Sequence, residues 1–250
     1  MIPPEHPRYA SLMQRERLVR GFEDGMTVLQ GLIAHGRGEA FDYLIGERTI
    51  PEALSAIKAG AAALVLASKP VISVNGNTAV LCPEELVRLS EALNAPLEVN
   101  LFYRSEERAR RIAEHLRRHG AERVLWRCDA EIEGLSSERR RVSSSGIYAS
   151  DVVLLAIEDG DRTLALKRLG KRVVAIDLNP LSRTAQEADI TVVDEVTRAL
   201  PLLTAQVQCM QGMSAEELAS VLEGFDNRRN LGRVLEHMRR RLGELSGQSL

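Results

Sequence analysis

The chain has 250 residues, 44% hydrophobic and 27% charged, with a formal net charge of −2. That is long enough for a substantial core and ordinary for a soluble globular protein. Aromatics at 4% and the missing basic excess argue against a base-stacking nucleic-acid platform. Cys82, Cys128 and Cys209 are scattered and form no C-x-x-C pair, so they give no zinc framework and suit a reducing, cytoplasmic setting. No uninterrupted apolar run reaches membrane-spanning length.

Residues 7–66 read as helical. Leu12, Leu18, Val19 and Phe22 give an amphipathic spacing that stops near Gly25. The stretch "GLIAHGRGEAFDYLIGE", 31–47, sets His35, Arg37, Glu39 and Asp42 between glycines and reads as a loop. A guanidinium flanked by Gly36 and Gly38 has backbone room around it and a fork that matches phosphate oxygens. The blander reading is a helix entry, with Glu39 in its first turn facing the macrodipole. Downstream, Thr49 and Glu52 make a capping box with Pro51 in the first turn of a helix.

From 71 to 196 short apolar, β-branched runs alternate with helical stretches. "VISV", "LEVNLF", "RVLW", "DVVLLAI", "RVVAIDL" and "ITVV" look buried on both faces, as parallel strands are. Six such strands imply an α/β fold with a doubly wound, mostly parallel, Rossmann-like sheet and helices on both faces. The order of the strands is not readable. The run "ERRRVSSSG" at 138–146 reads most simply as a mobile surface loop, the alternative being that its arginines reach an anion, and the loop 131–145 carries no assigned role. Residues 197–245 read as helices, one starting at Ser214, and the tail 246–250 as frayed. The whole, 1–250, is expected to be one domain with helical N- and C-terminal segments.

In an open parallel sheet ligands bind beyond the carboxyl ends of the strands. There the sequence places Asn75 and Asn77 around Gly76, then "EDGDR", then "DLNPLSRTA". Asp177 at a strand end is placed to accept bonds from ribose hydroxyls; equally, Asp177 and Asn179 shape a turn before Pro180. No G-x-G-x-x-G follows a strand, and neither a P-loop nor a G-x-S-x-G elbow occurs. His115 and His119 have a possible metal spacing but lie among arginines on what reads as a solvated face. The residues alone point to an α/β protein that binds a phosphorylated small molecule.

Longer motifs go further. "HPRY.SL..RE.L..G" from His6, "GLIAHGRGEAFDYL.GE.T" from Gly31, "GIY..DVVL...EDGDR" from Gly146 and "AIDLNPLSRTA" from Ala175 occur in that order. Together they resemble the archaeal phosphopantothenate synthetase (4-phosphopantoate–β-alanine ligase) family over nearly the whole chain. The resemblance implies a homodimeric enzyme of coenzyme A biosynthesis that joins 4-phosphopantoate to β-alanine while splitting ATP to AMP and diphosphate. It carries ATP contacts onto Arg15, Arg37, Asp177, Leu178, Asn179, Arg183, Thr184, Glu195 and Val196, with Mg²⁺ riding on the triphosphate. His35 is a candidate base for the amine, and Asn75, Asn77 and Tyr148 are candidates for the acid substrate. The rival readings are a non-catalytic nucleotide-sensing module and a Rossmann-type nucleotide-dependent oxidoreductase.

Overall fold

Three helices precede any strand: α1 (Tyr9–Glu23), α2 (Leu29–Ile45) and α3 (Pro51–Leu66). The computed structural model describes residues 2–247, so the fraying expected at 248–250 lies outside the described residues. Pro51 sits at the start of α3, where its missing N–H was unpaired anyway. The expected capping box does not form. Ile50 is the N-cap with no side-chain bond, and the Thr49 hydroxyl instead donates to Asp194 (2.5 Å).

The stretch around Arg37 is a helix, not a loop. α2 runs through to Ile45 and ends at Gly46, whose φ of 102° is the left-handed conformation that glycine adopts without strain. Glycine inside a helix costs up to about 1 kcal/mol relative to alanine, so the helical glycines need another cause. At Gly31 it is space: a Cβ there would stand 2.5 Å from the Asn77 side-chain oxygen. Glu39 lies well inside the helix, so its reading as a first-turn residue also fails.

All six expected runs are strands of one parallel sheet: β1 (Pro70–Val74), β2 (Leu97–Val99), β3 (Val124–Leu125), β6 (Val152–Ala156), β7 (Arg172–Ile176) and β8 (Ile190–Val192). Their spatial order is β3-β2-β1-β6-β7-β8. The chain starts in the middle at β1, winds outward to β3, then returns to lay β6 against the other edge of β1, with Pro70 opposite Val152. Alternate side chains feed two cores, since Leu154 and Val174 face one and Val153 and Val173 the other. The first core holds α3, α5 (Pro83–Leu93), α6 (Glu106–Arg118) and α9 (Val196–Met210).

The second core is covered by α7 (Gly160–Arg168) and by a part of the chain expected to be mobile. Residues 131–145 are instead built around a small antiparallel pair, β4 (Ala130–Glu131) and β5 (Arg141–Val142), with one 3₁₀ turn at Glu138–Arg140. Ile132, Leu135 and Val142 are buried against the sheet. Those three apolar residues, spaced among charges, hold the segment down. Two short helices, α4 (Gly76–Leu81) and α8 (Arg183–Glu187), follow β1 and β7, and α10 (Ala215–Glu223) and α11 (Asn227–Leu245) close the chain. α10 starts at Ser214 as expected, and Ser214 caps it through a reciprocal pair with Glu217. Among the described residues no helix is long and apolar enough to cross a membrane.

Candidate functional site

Beside the point where β1 and β6 part company, the carboxyl ends of the strands open into a cleft of about 570 Å³ walled on one side by α2. This is where an open α/β sheet places its ligands, because loops leaving the two central strands diverge. Of the residues singled out in the sequence, His35, Arg37, Asn75, Asn77, Asp177, Leu178, Asn179, Glu195 and Val196 line it.

Their side chains are not equally free. Asp177 shapes the turn after β7, with Oδ1 accepting the Asn179 N–H (2.9 Å) and Oδ2 the Ser182 hydroxyl. Burial pushes its carboxyl upward, and those two donors pull the other way. Each oxygen keeps further accepting capacity and Asp177 lines the cleft, so turn-forming and ligand-binding are compatible. Glu195 caps α9, accepting the Thr197 N–H at 2.7 Å, and burial likewise pushes it up. Asn75 accepts from Thr78 N–H (3.0 Å) and donates to the carbonyls of Ala156 (2.7 Å) and Ile157 (3.2 Å), pinning β1 to β6. Asn77 donates to the Gly31 carbonyl (2.8 Å) and holds α2 over the cleft. Ile157 takes a φ of 54°, unusual for a β-branched residue and held there by its neighbours.

His35 is partly buried, which pushes its imidazole below the ordinary histidine value and keeps it neutral at pH 7. Arg37 is exposed at the cleft and has no ion-pair partner among the described residues.

Four of the expected residues do not line the cleft. Arg15 is paired with Glu39 (2.7 Å), in a cluster with Arg8 and Tyr43. Arg183 is exposed and paired with Asp161 (2.8 Å). Thr184 is buried beneath the cleft, its hydroxyl donating to the Glu158 carbonyl (2.8 Å). Tyr148 is at the amino end of the sheet, its carbonyl accepting from Lys171 just before β7 (2.7 Å).

Three arginines in or under the cleft were not singled out in the sequence, although Arg139 lies in the 138–146 arginine run and Arg162 ends "EDGDR". Arg139 crosses from the β4–β5 segment to Glu158 (2.5 Å) and Asp159 (3.0 Å), and the fully buried Arg162 takes the other side of Glu158. Arg108, on α6, donates through Nε to the Met26 carbonyl (2.9 Å) and through Nη1 to the Tyr103 carbonyl (2.7 Å). A signal for Arg108 was present. It stands four residues before Ile112 and eight before Leu116, on the buried stripe of an amphipathic helix where a charge is out of place. His115 and His119 pack against each other with ring planes tilted by 55° and centroids 4.4 Å apart. Among the described residues no three His, Cys, Asp or Glu side chains gather as a metal site.

Residues 52–241 match the sequence family described as phosphopantothenate/pantothenate synthetase. The chain is similar to the 4-phosphopantoate–β-alanine ligase of Thermococcus onnurineus, 53% identical over 98% of this chain and 95% of the relative. It is also 53% identical to the enzyme of that name from Thermococcus kodakarensis, over 100% of this chain and 96% of the relative. With that of Methanosarcina mazei it shares 48% identity over 99% and 98%.

Proposed function

The chain belongs to the phosphopantothenate/pantothenate synthetase family, and on that footing we propose that it is a 4-phosphopantoate–β-alanine ligase that uses ATP. The observation that carries the reading is one open cleft, at the carboxyl ends of the parallel strands, which Arg37, without an ion-pair partner among the described residues, lines together with the Asp177–Asn179 turn. A carboxylate and an amine do not condense unaided, because the carboxylate carbon is a poor electrophile. The 4-phosphopantoate carboxylate attacks the α-phosphorus of Mg·ATP, expelling diphosphate; the amine of β-alanine then attacks the acyl-adenylate, forming the amide and releasing AMP. Mg²⁺ enters as part of the substrate, riding on the triphosphate with few protein ligands.

The chain's own groups supply position and charge. Arg37 neutralises the triphosphate, the Asp177–Asn179 turn and the Glu195–Val196 corner receive the nucleoside, and neutral His35 takes the proton from the amine. Arg15, Arg183 and Thr184 join the nucleotide site on the strength of the resemblance. Arg15 and Arg183 sit in exposed ion pairs of the sort worth under about 1 kcal/mol, so a polyphosphate competes readily with Glu39 or Asp161 for them. The homodimer and the cytoplasmic location belong to the same proposal.

Nucleotide product analysis tests the function. AMP and diphosphate forming in step with 4'-phosphopantothenate, and only when ATP, 4-phosphopantoate and β-alanine are all present, is the expected outcome. ADP and phosphate would replace the adenylate by an acyl-phosphate; no turnover would overturn the ligase. Removing a charge-assisted arginine–phosphate contact costs about 1.5–3 kcal/mol. Arg37→Ala therefore lowers kcat/KM for ATP by about ten- to a hundred-fold. Unaltered kinetics in a folded variant would take Arg37 out of the site.

A further inference from the structure

We propose that Arg198 is a positioning residue: it braces α2, the helix that carries Arg37 and His35, against the Asp194–Glu195 corner, and so holds the two walls of the cleft in register. The inference rests on the ligase reading and adds the contact that sets the site's geometry.

Apolar packing anchors α2 only thinly. Of its 17 residues Asp42 and Ile45 alone are buried. Leu32, Phe41 and Leu44 are partly buried against the core, while Leu29 and Ile33 are exposed. Gly36 and Gly38 also weaken the helix from within. Helices in proteins owe most of their stability to a packed apolar face, so this one depends on polar fastenings. Asn77 holds its first turn at the Gly31 carbonyl, and the His237 ring holds its last at the Ile45 carbonyl (3.0 Å).

Arg198 ties this helix to the opposite wall. Its Nη1 and Nη2 take the two oxygens of Asp42 at 3.1 and 2.5 Å, and its Nε and Nη2 reach Asp194 Oδ1 at 3.0 and 2.7 Å. A two-point grip on a carboxylate fixes orientation as well as distance. Asp42 shares a helical stripe with Gly31, His35 and Gly38, so the grip that sets its rotation sets theirs. Asp194 is fully buried and is itself held, its oxygens accepting the Thr49 hydroxyl (2.5 Å) and the Glu195 N–H (2.8 Å). The place is otherwise poor for a cation: Arg198 lies in the first turn of α9, where the macrodipole disfavours positive charge. Burial opposes the charge too, but the hydrogen bonds and negative charge of Asp42 and Asp194 outweigh it and hold the guanidinium above the ordinary arginine value. Neither Arg198 nor Asp42 lines the cleft, so the brace acts through α2 rather than on a ligand.

The test is a double-mutant cycle between Arg198 and Arg37, read as the affinity of the full chain for Mg·ATP by titration calorimetry. Arg198→Met is expected to weaken Mg·ATP by about tenfold when Arg37 is present, and by under about twofold once Arg37 is alanine. Asp42→Asn, which leaves the cleft lining intact, reproduces the loss. Arg198→Lys, a cation without the fork, recovers only part of it. Hydrogen exchange reads the cause directly: amides 33–41 exchange at least about tenfold faster in Arg198→Met, and those of β6 and β7 within about twofold of wild type. Additive losses, an unchanged affinity, or unchanged exchange at 33–41 in a folded Arg198→Met chain each overturn the assignment. If Arg198→Met does not fold, Asp42→Asn completes the same cycle. Parallel product assays separate the two claims. A coupled loss of Mg·ATP affinity without any wild-type turnover keeps the brace and sinks the ligase, whereas turnover with additive losses does the reverse. Should wild type bind no Mg·ATP, the exchange measurement decides the brace alone, and unchanged rates at 33–41 overturn it.

Discussion

Replacing Glu158 by alanine is expected to lower the unfolding temperature by about 6–20 °C. Glu158 is the shared partner of two guanidiniums, Arg139 on the cleft side and Arg162 beneath the sheet, with side-chain exposures of 8%, 0% and, for the carboxylate, 2%. Arg162 has little else: Nη1 also reaches the Ser73 hydroxyl (3.0 Å), while Nε and Nη2 have no hydrogen-bond partner among the described residues. Breaking a buried pair from one side leaves the other charge desolvated, at a cost of about 3–5 kcal/mol. At roughly 2–4 °C per kcal/mol for a chain of this size, the range above follows. Arg139 also loses the clamp that sets it in the cleft wall. Thermal unfolding by circular dichroism measures the shift, and a double variant with Arg162→Met should regain part of it. A shift under about 2 °C for Glu158→Ala would mean that the cluster is solvated in solution.

A second carboxyl makes stability depend on pH in the opposite direction to most acids. Glu98 lies in β2, 2% exposed, with Oε1 accepting the Ser143 N–H (2.9 Å) and Oε2 the Ile147 N–H (2.6 Å). Burial outweighs these donors and pushes it up to about 7 from an ordinary 4.5. The folded chain therefore holds this proton more tightly than the unfolded one. Between about pH 4.5 and 7 the unfolded state carries fewer protons, so Glu98 contributes a stability that falls as pH rises across that window and levels off above it. The fall is on the order of a few kcal/mol. Denaturant unfolding at pH 5 and pH 8 should show a smaller difference for Glu98→Gln than for wild type; equal differences would show that Glu98 titrates normally. The same carboxylate explains Gly146 in the "GIY" motif, where a Cβ would come within 1.9 Å of Oε2.

The sheet was legible in the sequence because buried parallel strands are written as continuous β-branched runs, and each of the six runs became a strand. Their order was not, since pairing depends on which apolar faces meet rather than on any one run. Segment 131–145 misled because its strands are two residues long and its three apolar anchors are diluted by charge. The glycines at 31, 36 and 38 suggested a loop; at Gly31 the packing of Asn77 is a tertiary fact with no local trace. Within the site, residues on strand-end loops, such as Asn75 and Asp177, could be found by position, whereas Glu195 came only from the resemblance. Glu158 was placed on such a loop too, as the first residue of "EDGDR", but its pairing with Arg139 was not, because that contact joins two distant segments. Arg108 could have been found by asking why a charge sits on an apolar helical stripe.

The return of the chain from the sheet's edge to its centre also sets a timetable. β1 has one edge that waits for β6, whose first paired residue, Val152, is synthesised 82 residues after Pro70. At about 5–20 residues per second, that is roughly 4–16 s during which a nascent chain carries an open central strand. Closing so long a loop is entropically slow, and an exposed strand edge is a template for mispairing. Asn75 cannot find the Ala156 carbonyl until then, so the cleft is assembled late in biogenesis, after α1, α2 and α3 have had time to form.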